Sequence, residues 1–309
     1  MNLIPENLQR DIQETRAVLT DRFQRVSSTL PSSVSIDDCI VAYEQSDKAL
    51  NNYGHMPEMV RSVYDALEKT ADPDAVDVFN RCLMVSMMAA SASLMRDLKV
   101  TDALRGHIAT AFEAQLTDIN RLDRLCRRID SDMGAKNLGI CRLRLLPFGA
   151  ELLDRFSGVP RSALITSKLD EKLRALYFFA FRARGFTNFL EAHWDRRLVR
   201  DFTPEGFVEC YRHAADFLMA NPRFRGIFAS TWWFDPVIKT ISPELAHLQD
   251  LFRDNGAVAC YIGIDDDSTR DATTFSPRRS SLYKAGEYQP QKIMLIWHRS
   301  DLIDWANRQ

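Results

Sequence analysis

Several signatures of well-known sites are missing from this chain of 309 residues. None of its six cysteines forms a C-x-x-C pair, which excludes zinc ribbons and thioredoxin-like redox sites. The patterns of a phosphate-binding loop, a dinucleotide fold and a serine nucleophile elbow do not occur. H-E-x-x-H and paired E-x-x-H patterns are also absent. The sequence therefore predicts no metal site and none of these common catalytic motifs.

The chain also lacks an excess of positive charge, because its formal net charge is −2. A protein that neutralises phosphates is usually basic, so we expect no nucleic-acid partner. The most apolar helical stretch, residues 82–95, is too short to span a bilayer, and no secretory signal is visible. Together with the scattered cysteines, this predicts a cytoplasmic protein without a membrane partner. The sequence does not indicate an oligomeric state.

The first part of the chain has the apolar periodicity of a helical array. In residues 5–30 the side chains of Leu8, Ile12, Leu19 and others recur at spacings of three, four and seven, which predicts an amphipathic helix. Residues 82–95 are apolar or small on every face, which is typical of a central helix in a bundle. A long helix is predicted from Thr101 to Ile129. We assign residues 1–133 to a helical domain of about five helices.

Residues 134–309 predict a mixed α/β domain. Apolar runs predict strands at residues 226–232, 257–264 and 292–297. The predicted fold class is therefore α+β, a helical N-terminal array followed by a mixed α/β half with at least three strands.

Four other stretches of this half are less regular. Residues 147–156 and 188–199 are predicted as helices, and residues 265–289 as mostly loop with room for a short helical turn around residues 280–285. Residues 173–181, L-R-A-L-Y-F-F-A-F, fit a buried helix and a buried strand equally well, because a short apolar run has no decisive period.

The most conspicuous candidate for a ligand site follows the first predicted strand, where the chain reads W-W-F-D-P. In open α/β sheets, ligands bind beyond the carboxyl ends of strands. Neighbouring residues of a strand point to opposite faces, so one of Trp232 and Trp233 would line a cleft, with Asp235 as an acid–base candidate. In the alternative interpretation both tryptophans pack under helices and Asp235 caps a helix.

Two further candidates lie on either side of this stretch. Arg278, Arg279 and Tyr283, in the predicted loop S-P-R-R-S-S-L-Y, could clamp a phosphate or a carboxylate, or could be incidental surface residues. His193, in E-A-H-W-D, has the side chain best suited to acid–base catalysis near neutral pH. On the predicted helix, residues two positions away would point elsewhere, so an ordinary half-exposed histidine is the alternative.

The C-terminal third resembles uncharacterised bacterial proteins that carry a W-F-D-P element, an N-G-A turn and an R-R-x-L-Y segment. These are residues 233–236, 255–257 and 278–283 here. Residues 176–181 form an apolar run, and residues 182–187 read R-A-R-G-F-T. This segment is similar to GNAT-type acyltransferases, in which a strand feeds an R/Q-x-x-G-x-G/A loop. The backbone N–H groups of that loop bind the pyrophosphate of acyl-CoA at a helix N-terminus. The resemblance implies a strand at residues 176–181 and an acyl-CoA site at Arg182, Arg184 and Gly185.

Two hypotheses follow for the function. The first is an acyltransferase-like enzyme that acts on an anionic or acyl-CoA-type small molecule, with His193 or Asp235 as acid–base groups. The second is a non-catalytic protein that senses a ligand or binds a protein partner, for which the amphipathic helix of residues 5–30 would present its surface. Exposure or burial of that helix distinguishes the two.

Overall fold

The computed structural model describes residues 3–28, 35–47, 51–95, 98–126, 128–166 and 169–309. The chain forms two compact units. Unit 1 comprises Met1–Phe148 with Leu153–Phe156, and unit 2 comprises Gly149–Leu152 with Ser157–Gln309. The division into domains 1–133 and 134–309 stays a prediction.

Unit 1 is mainly helical, as the sequence predicts. Its described helices are α1 (Glu6–Ser27), α2 (Ile36–Ser46), α3 (Glu58–Glu68), α4 (Ala75–Leu94), α5 (Asp102–Asn120) and α6 (Asp132–Cys141), followed by the short strand β1 (Leu145–Pro147). Side-chain oxygens of Ser35, Thr101 and Ser131 accept a hydrogen bond from the backbone N–H three residues later, so these residues start α2, α5 and α6.

The core of unit 1 is formed around α4. The predicted stripe of α1, which includes Leu8, Ile12, Leu19 and Phe23, is buried and packs on α4. The methionines of α4 that the structure describes are buried side chains of this core, which confirms the predicted central helix. Because the apolar face of α1 is buried, the hypothesis that it binds a protein partner loses its basis. Leu30, the predicted end of that helix, lies outside the described residues.

The long helix predicted from Thr101 to Ile129 is wrong in its second half. α5 ends at Asn120, and the chain is irregular until α6 begins. The buried guanidinium of Arg81 explains the end, because it donates hydrogen bonds to the backbone carbonyls of Ile119 and Arg124. The side chain of Arg81 therefore provides the hydrogen-bond donors for these two carbonyls where α5 ends.

Unit 2 contains most of the sheet. Its strands are β3 (Thr187–His193), β4 (Gly226–Thr231), β5 (Val258–Gly263) and β6 (Lys292–His298). Strand β2 (Leu152–Gly158) has residues in both units, and the sheet has the order β1-β2-β3-β4-β6-β5. β3 and β4 are parallel, whereas β6 is antiparallel to both β4 and β5. The three predicted strands are confirmed as β4, β5 and β6, and so is the α+β class.

The described helices of unit 2 lie between and after these strands. They are α7 (Ala163–Thr166), α8 (Leu169–Tyr177), α9 (Pro204–Ala220), α10 (Ile238–Ile241), α11 (Ala246–Arg253), α12 (Asp266–Thr274), α13 (Pro277–Lys284) and α14 (Arg299–Ala306). The predicted loop at residues 265–289 is wrong, because Asp265 and Ser276 cap α12 and α13 with their side chains. Among the described residues, no helix combines the length and apolar content that a membrane span requires.

Two helices predicted in this half are strands. Residues 147–156 overlap β1 and β2, and most of residues 188–199 form β3 and the turn after it. Phe189 and Leu190 of β3 are both fully buried although they point to opposite faces of the sheet. Tertiary packing on two faces has overridden a local helix preference here.

Residues 173–181 are helical, which resolves the ambiguous stretch. α8 continues into a π-helical turn, Phe178–Arg182. Ala175, Phe178 and Phe179 face the sheet and are buried with Phe189 and Phe228 in one cluster. The strand that the GNAT resemblance implies at residues 176–181 is therefore wrong.

Candidate functional site

The pairing of β3 with β4 stops before either strand ends. Residues 189–191 of β3 lie opposite residues 226–228 of β4. Both strands then continue, β3 for two residues and β4 for three, without pairing to each other. Burial changes at the same place, because Phe228 is buried whereas Glu191, His193 and Ser230 are partly exposed. The carboxyl ends of two parallel strands thus part at an accessible edge, which is where open α/β sheets bind ligands.

Glu191 and His193 lie side by side at this opening. Because they are two residues apart on a strand, their side chains project from the same face. Oε2 of Glu191 lies 3.7 Å from Nε2 of His193, and the hydroxyl of Ser157 on β2 donates a 3.0 Å hydrogen bond to Oε2 of Glu191. On the helix that the sequence predicts here, the side chains of Glu191 and His193 would point in different directions. The strand makes them a carboxylate–imidazole pair, which is an arrangement suited to proton transfer.

Aromatic side chains surround the exits of both strands. Trp194 directly follows β3, and Trp233 lies in a 3₁₀ turn, Trp232–Phe234, directly after β4. Their ring centroids are 6.0 Å apart, and the ring of Phe202 lies 5.0 Å from Trp233 and 6.3 Å from Trp194. Trp194 is part exposed. Sequence analysis selected Trp233 but not Trp194 or Phe202, which become its neighbours only because β3 and β4 are adjacent.

Trp232 and Arg279 are in contact. The guanidinium carbon of Arg279 lies 4.7 Å from the ring centroid of Trp232. Nε donates to the carbonyl of Ala272 at 2.6 Å and Nη1 to the hydroxyl of Ser242 at 2.7 Å, and burial lowers the pKa of the guanidinium. These contacts fasten α13 to α10 and α12. A ligand role for Trp232 and Arg279 stays a prediction.

The other two members of that hypothesis lie on the outside of α13. Arg278 is exposed, and the side chain of Tyr283 is part exposed. The predicted loop would have let all three side chains converge, but on a helix Arg278 and Arg279 point in different directions. Ligand binding by Arg278 and Tyr283 stays a prediction.

Asp235 lies in the turn between β4 and α10. Its Oδ1 accepts a 3.1 Å hydrogen bond from the N–H of Val237 within this turn, and the N-cap of α10 is Val237 rather than Asp235. Burial raises the pKa of this carboxyl. Its Oδ2 is buried without a hydrogen-bond partner among the described residues, as is the hydroxyl of Tyr288. An acid–base role of Asp235 stays a prediction.

The loop that the GNAT resemblance selects lies before β3. The N–H of Gly185 donates to the carbonyl of Phe179, and the guanidinium of Arg182 pairs with Asp301 at 2.7 Å. β3 itself spans roughly 20 Å, so Arg182, Arg184 and Gly185 lie at the opposite end of the strand from His193. Their role in binding acyl-CoA stays a prediction.

The GNAT resemblance implies a strand that leads through an arginine-bearing loop to a helix N-terminus. Unit 2 contains this order of elements, but it begins at β3 instead of at residues 176–181. β3 leads through the 3₁₀ turn Arg196–Asp201 to α9. Arg197 pairs with the buried Asp195, whereas Arg196 and Arg200 are exposed. Thr203 caps α9 by accepting from the N–H of Gly206 at 3.1 Å, and Pro204 occupies the first turn of the helix.

A buried carboxyl lies elsewhere in unit 2. The hydroxyl of Tyr211 on α9 donates to Oε2 of Glu151, and both side chains are buried. Burial raises the pKa of Glu151 to about 7, although the phenol hydrogen bond acts in the opposite direction. The sequence contains no signal for this pair, because the two residues are 60 positions apart.

No family model and no curated protein sequence matches this chain. Among solved structures, the chain is similar to the crystal structure of an acyltransferase mutant in complex with octanoyl-CoA. The alignment covers 93% of this chain and 99% of that chain, with 12% sequence identity and a TM-score of 0.38. At this TM-score the similarity assigns neither a family nor a reaction.

Proposed function

We propose that unit 2 is an acyltransferase that moves an acyl group from the thioester of an acyl-CoA to an amine or hydroxyl of a small molecule. The observation that carries the proposal is the parting of β3 and β4 beside the Glu191–His193 pair. It combines a slot between two strands with an acid–base pair on the face of one of them.

The slot suits the pantetheine arm of an acyl-CoA. That arm is extended and contains two secondary amides, so it can hydrogen-bond to a strand edge in the way that an added peptide strand does. The β3–β4 register ends at residues 191 and 228, so we infer that an extended ligand would enter where the two strands stop pairing with each other. A thioester that lies between the strands would be next to His193.

The diphosphate of acyl-CoA is anionic, so we expect cationic side chains at the end of the slot that lies beyond the last residue of β3. Arg196 and Arg200 are exposed on the turn directly after β3, and arginine binds phosphate oxygens through two N–H groups. The site that the resemblance selects, Arg182 with Arg184 and Gly185, lies at the other end of β3. One diphosphate cannot occupy both ends, so charge reversal at each end distinguishes them.

His193 is the proposed general base. It would take the proton from the attacking amine or hydroxyl while the new bond to the acyl carbon forms and the carbon–sulfur bond breaks. The sulfur leaves as a thiolate, and the proton held by His193 then converts it to the thiol of CoA. Glu191 stabilises the imidazolium in the interval, and Ser157 orients the carboxylate. The aromatic side chains of Trp194 and Trp233 would hold the acyl chain or an aromatic acceptor.

Thiol release measures this reaction directly. Purified protein is incubated with acetyl-, butyryl- or octanoyl-CoA and a mixture of small amines and alcohols. The concentration of free thiol is then measured with a colorimetric assay. We expect an acceptor-dependent release that His193→Asn lowers by roughly 10²- to 10⁴-fold without a change in the unfolding midpoint. His213→Asn, a histidine on α9, is the matched control and should keep full activity.

Binding gives a second, independent test. Arg196→Glu with Arg200→Glu should weaken acyl-CoA binding by at least tenfold, whereas Arg223→Glu, before β4, should leave it unchanged. If Arg182→Glu with Arg184→Glu removes binding instead, the diphosphate lies at the other end of β3. Absence of binding and of thiol release with every acyl-CoA would contradict the acyltransferase assignment.

A further inference from the structure

The outer face of α8 is apolar and uncovered. Leu169, Leu173, Leu176 and Tyr177 recur at the spacing of one helical face, and the ring of Phe181 in the following π turn lies 5.2 Å from that of Tyr177. The exposed fraction of each of the five residues is between 50% and 74%. At roughly 200 Å² for a large side chain, they expose on the order of 600 Å², the upper end of what monomers normally show.

The side of α8 opposite to this face is buried, which fixes the orientation of the helix. Ala175, Phe178 and Phe179 on the opposite side of the helix are buried in the cluster that covers the sheet. Oε2 of Glu171 accepts from the N–H of Tyr261 on β5 at 3.3 Å. The helix therefore cannot turn its apolar side inward without losing buried contacts, and the exposed face is a fixed feature of unit 2.

The charge around the face is mainly positive. Residues 161–184 contain six lysines and arginines against two acidic residues, in a chain whose formal net charge is −2. Arg182 is paired with Asp301, and one of the two acidic residues, Glu171, points to the sheet. Arg161, Arg174 and Arg184 are exposed. An apolar helical face with a basic border is the pattern of helices that lie in the surface of anionic membranes.

We propose that this face of α8, defined by Leu169, Leu173, Leu176, Tyr177 and Phe181, docks unit 2 on an anionic lipid surface. The apolar side chains would enter the boundary between headgroups and acyl chains, and the arginines would contact the headgroup phosphates. A second copy of the chain fits less well. In a two-fold interface the same patch meets itself, so the basic borders of both copies would face each other. The attachment does not require the acyltransferase reaction.

Vesicle sedimentation tests the docking. The full chain is mixed with vesicles of phosphatidylcholine alone or with about 30 mol% phosphatidylglycerol, at about 0.1 M salt. We expect it to sediment with the anionic vesicles and to remain in solution with the neutral ones. Leu169→Gln with Leu173→Gln should lower the partition coefficient at least tenfold, and so should Arg174→Glu with Arg184→Glu.

Matched controls make the result specific to this face. Leu122→Gln with Leu125→Gln changes two leucines of unit 1 that are equally exposed, and should not change sedimentation. Sedimentation velocity without vesicles is run in parallel. A dimer that the Leu169→Gln/Leu173→Gln variant converts to a monomer would overturn the proposal in favour of a second copy. Equal sedimentation with both vesicles, none with either, or no effect of the leucine changes would also overturn it.

Discussion

The two units bury their carboxylates in different ways. In unit 1, the guanidinium of Arg144 forms a bidentate pair with Asp154, with Nε 3.0 and 3.1 Å from the two carboxylate oxygens and Nη2 2.9 Å from one of them. Nη1 of Arg144 reaches Asp47 at 3.1 Å, and Arg142 also donates to Asp47. All four side chains are buried, and Asp47 is paired with two guanidinium groups and Asp154 with one.

In unit 2, neither of the two notable acids has an arginine or lysine beside it in the contacts described above. Glu151 is buried with the phenol of Tyr211, and Glu191 is part exposed between the hydroxyl of Ser157 and the imidazole of His193. An acid paired with guanidinium groups is held in one geometry by charge-assisted hydrogen bonds. An acid beside a hydroxyl or an imidazole has partners that can themselves exchange protons with a ligand. The comparison separates charges that hold a fold from charges that are available for chemistry.

Removal of one partner from the unit 1 network has the largest expected effect. Arg144→Met leaves the fully buried Asp154 without its bidentate partner, and loss of one member of a buried ion pair costs roughly 3–5 kcal/mol. Urea unfolding at neutral pH measures the loss. Arg144→Met combined with Asp154→Leu should cost less than the single change, because no uncompensated charge remains. Arg121→Met, which breaks an exposed pair, is the control. A single-variant loss no greater than that of the control would remove the distinction between the units.

The sequence predicted some helices and strands of the two units correctly and others not. β4, β5 and β6 were predictable because each is a continuous apolar run, although only β4 and β6 are buried along most of their length and β5, at the edge of the sheet, is largely part exposed. The helices of unit 1 were predictable because only one side of α1 is apolar, and because α4 is apolar on every side. The hydrophobic periodicity and the polarity of the side chains were therefore sufficient to predict an element wherever its burial followed one pattern along its whole length.

β3 was not predictable in this way. Its first residues are exposed, Phe189 and Leu190 are buried, and Glu191 to His193 are part exposed, so burial changes along the strand rather than alternating. Leucine, glutamate and alanine also favour helices. The candidate site depends on this one strand, because only a strand places Glu191 beside His193 and only its pairing with β4 brings Trp194 to Trp233. Neither Ser157 nor Phe202 carries a local signal.

The buried acid of unit 2 should make stability depend on pH. The folded pKa of Glu151 is about 7, above the ordinary value of 4.5, so the folded state retains a proton that the unfolded state has lost between these two values. Stability from this group is therefore highest below about pH 4.5 and falls as the pH rises to about 7, by about 3 kcal/mol in total. Urea unfolding at several pH values should show a smaller fall for Glu151→Gln than for the wild type. Glu209→Gln, an exposed acid on α9, should retain the wild-type fall. Identical pH dependence of the wild type and Glu151→Gln would show that Glu151 is ionised in the folded protein.

The smallest expected effect is at Ser157, whose buried hydroxyl holds Glu191 by a neutral-to-charged hydrogen bond of 3.0 Å. Such a bond contributes on the order of 1–3 kcal/mol, so Ser157→Ala should lower kcat by about tenfold and leave KM within about twofold. A purely structural role would instead lower the unfolding midpoint without changing kcat. The decisive measurement is the double variant with Glu191→Gln, because residues that act together are not additive. If Ser157 acts by orienting the carboxylate, its removal should have little further effect once that carboxylate is an amide. Fully additive losses in kcat would mean that Ser157 and Glu191 act independently.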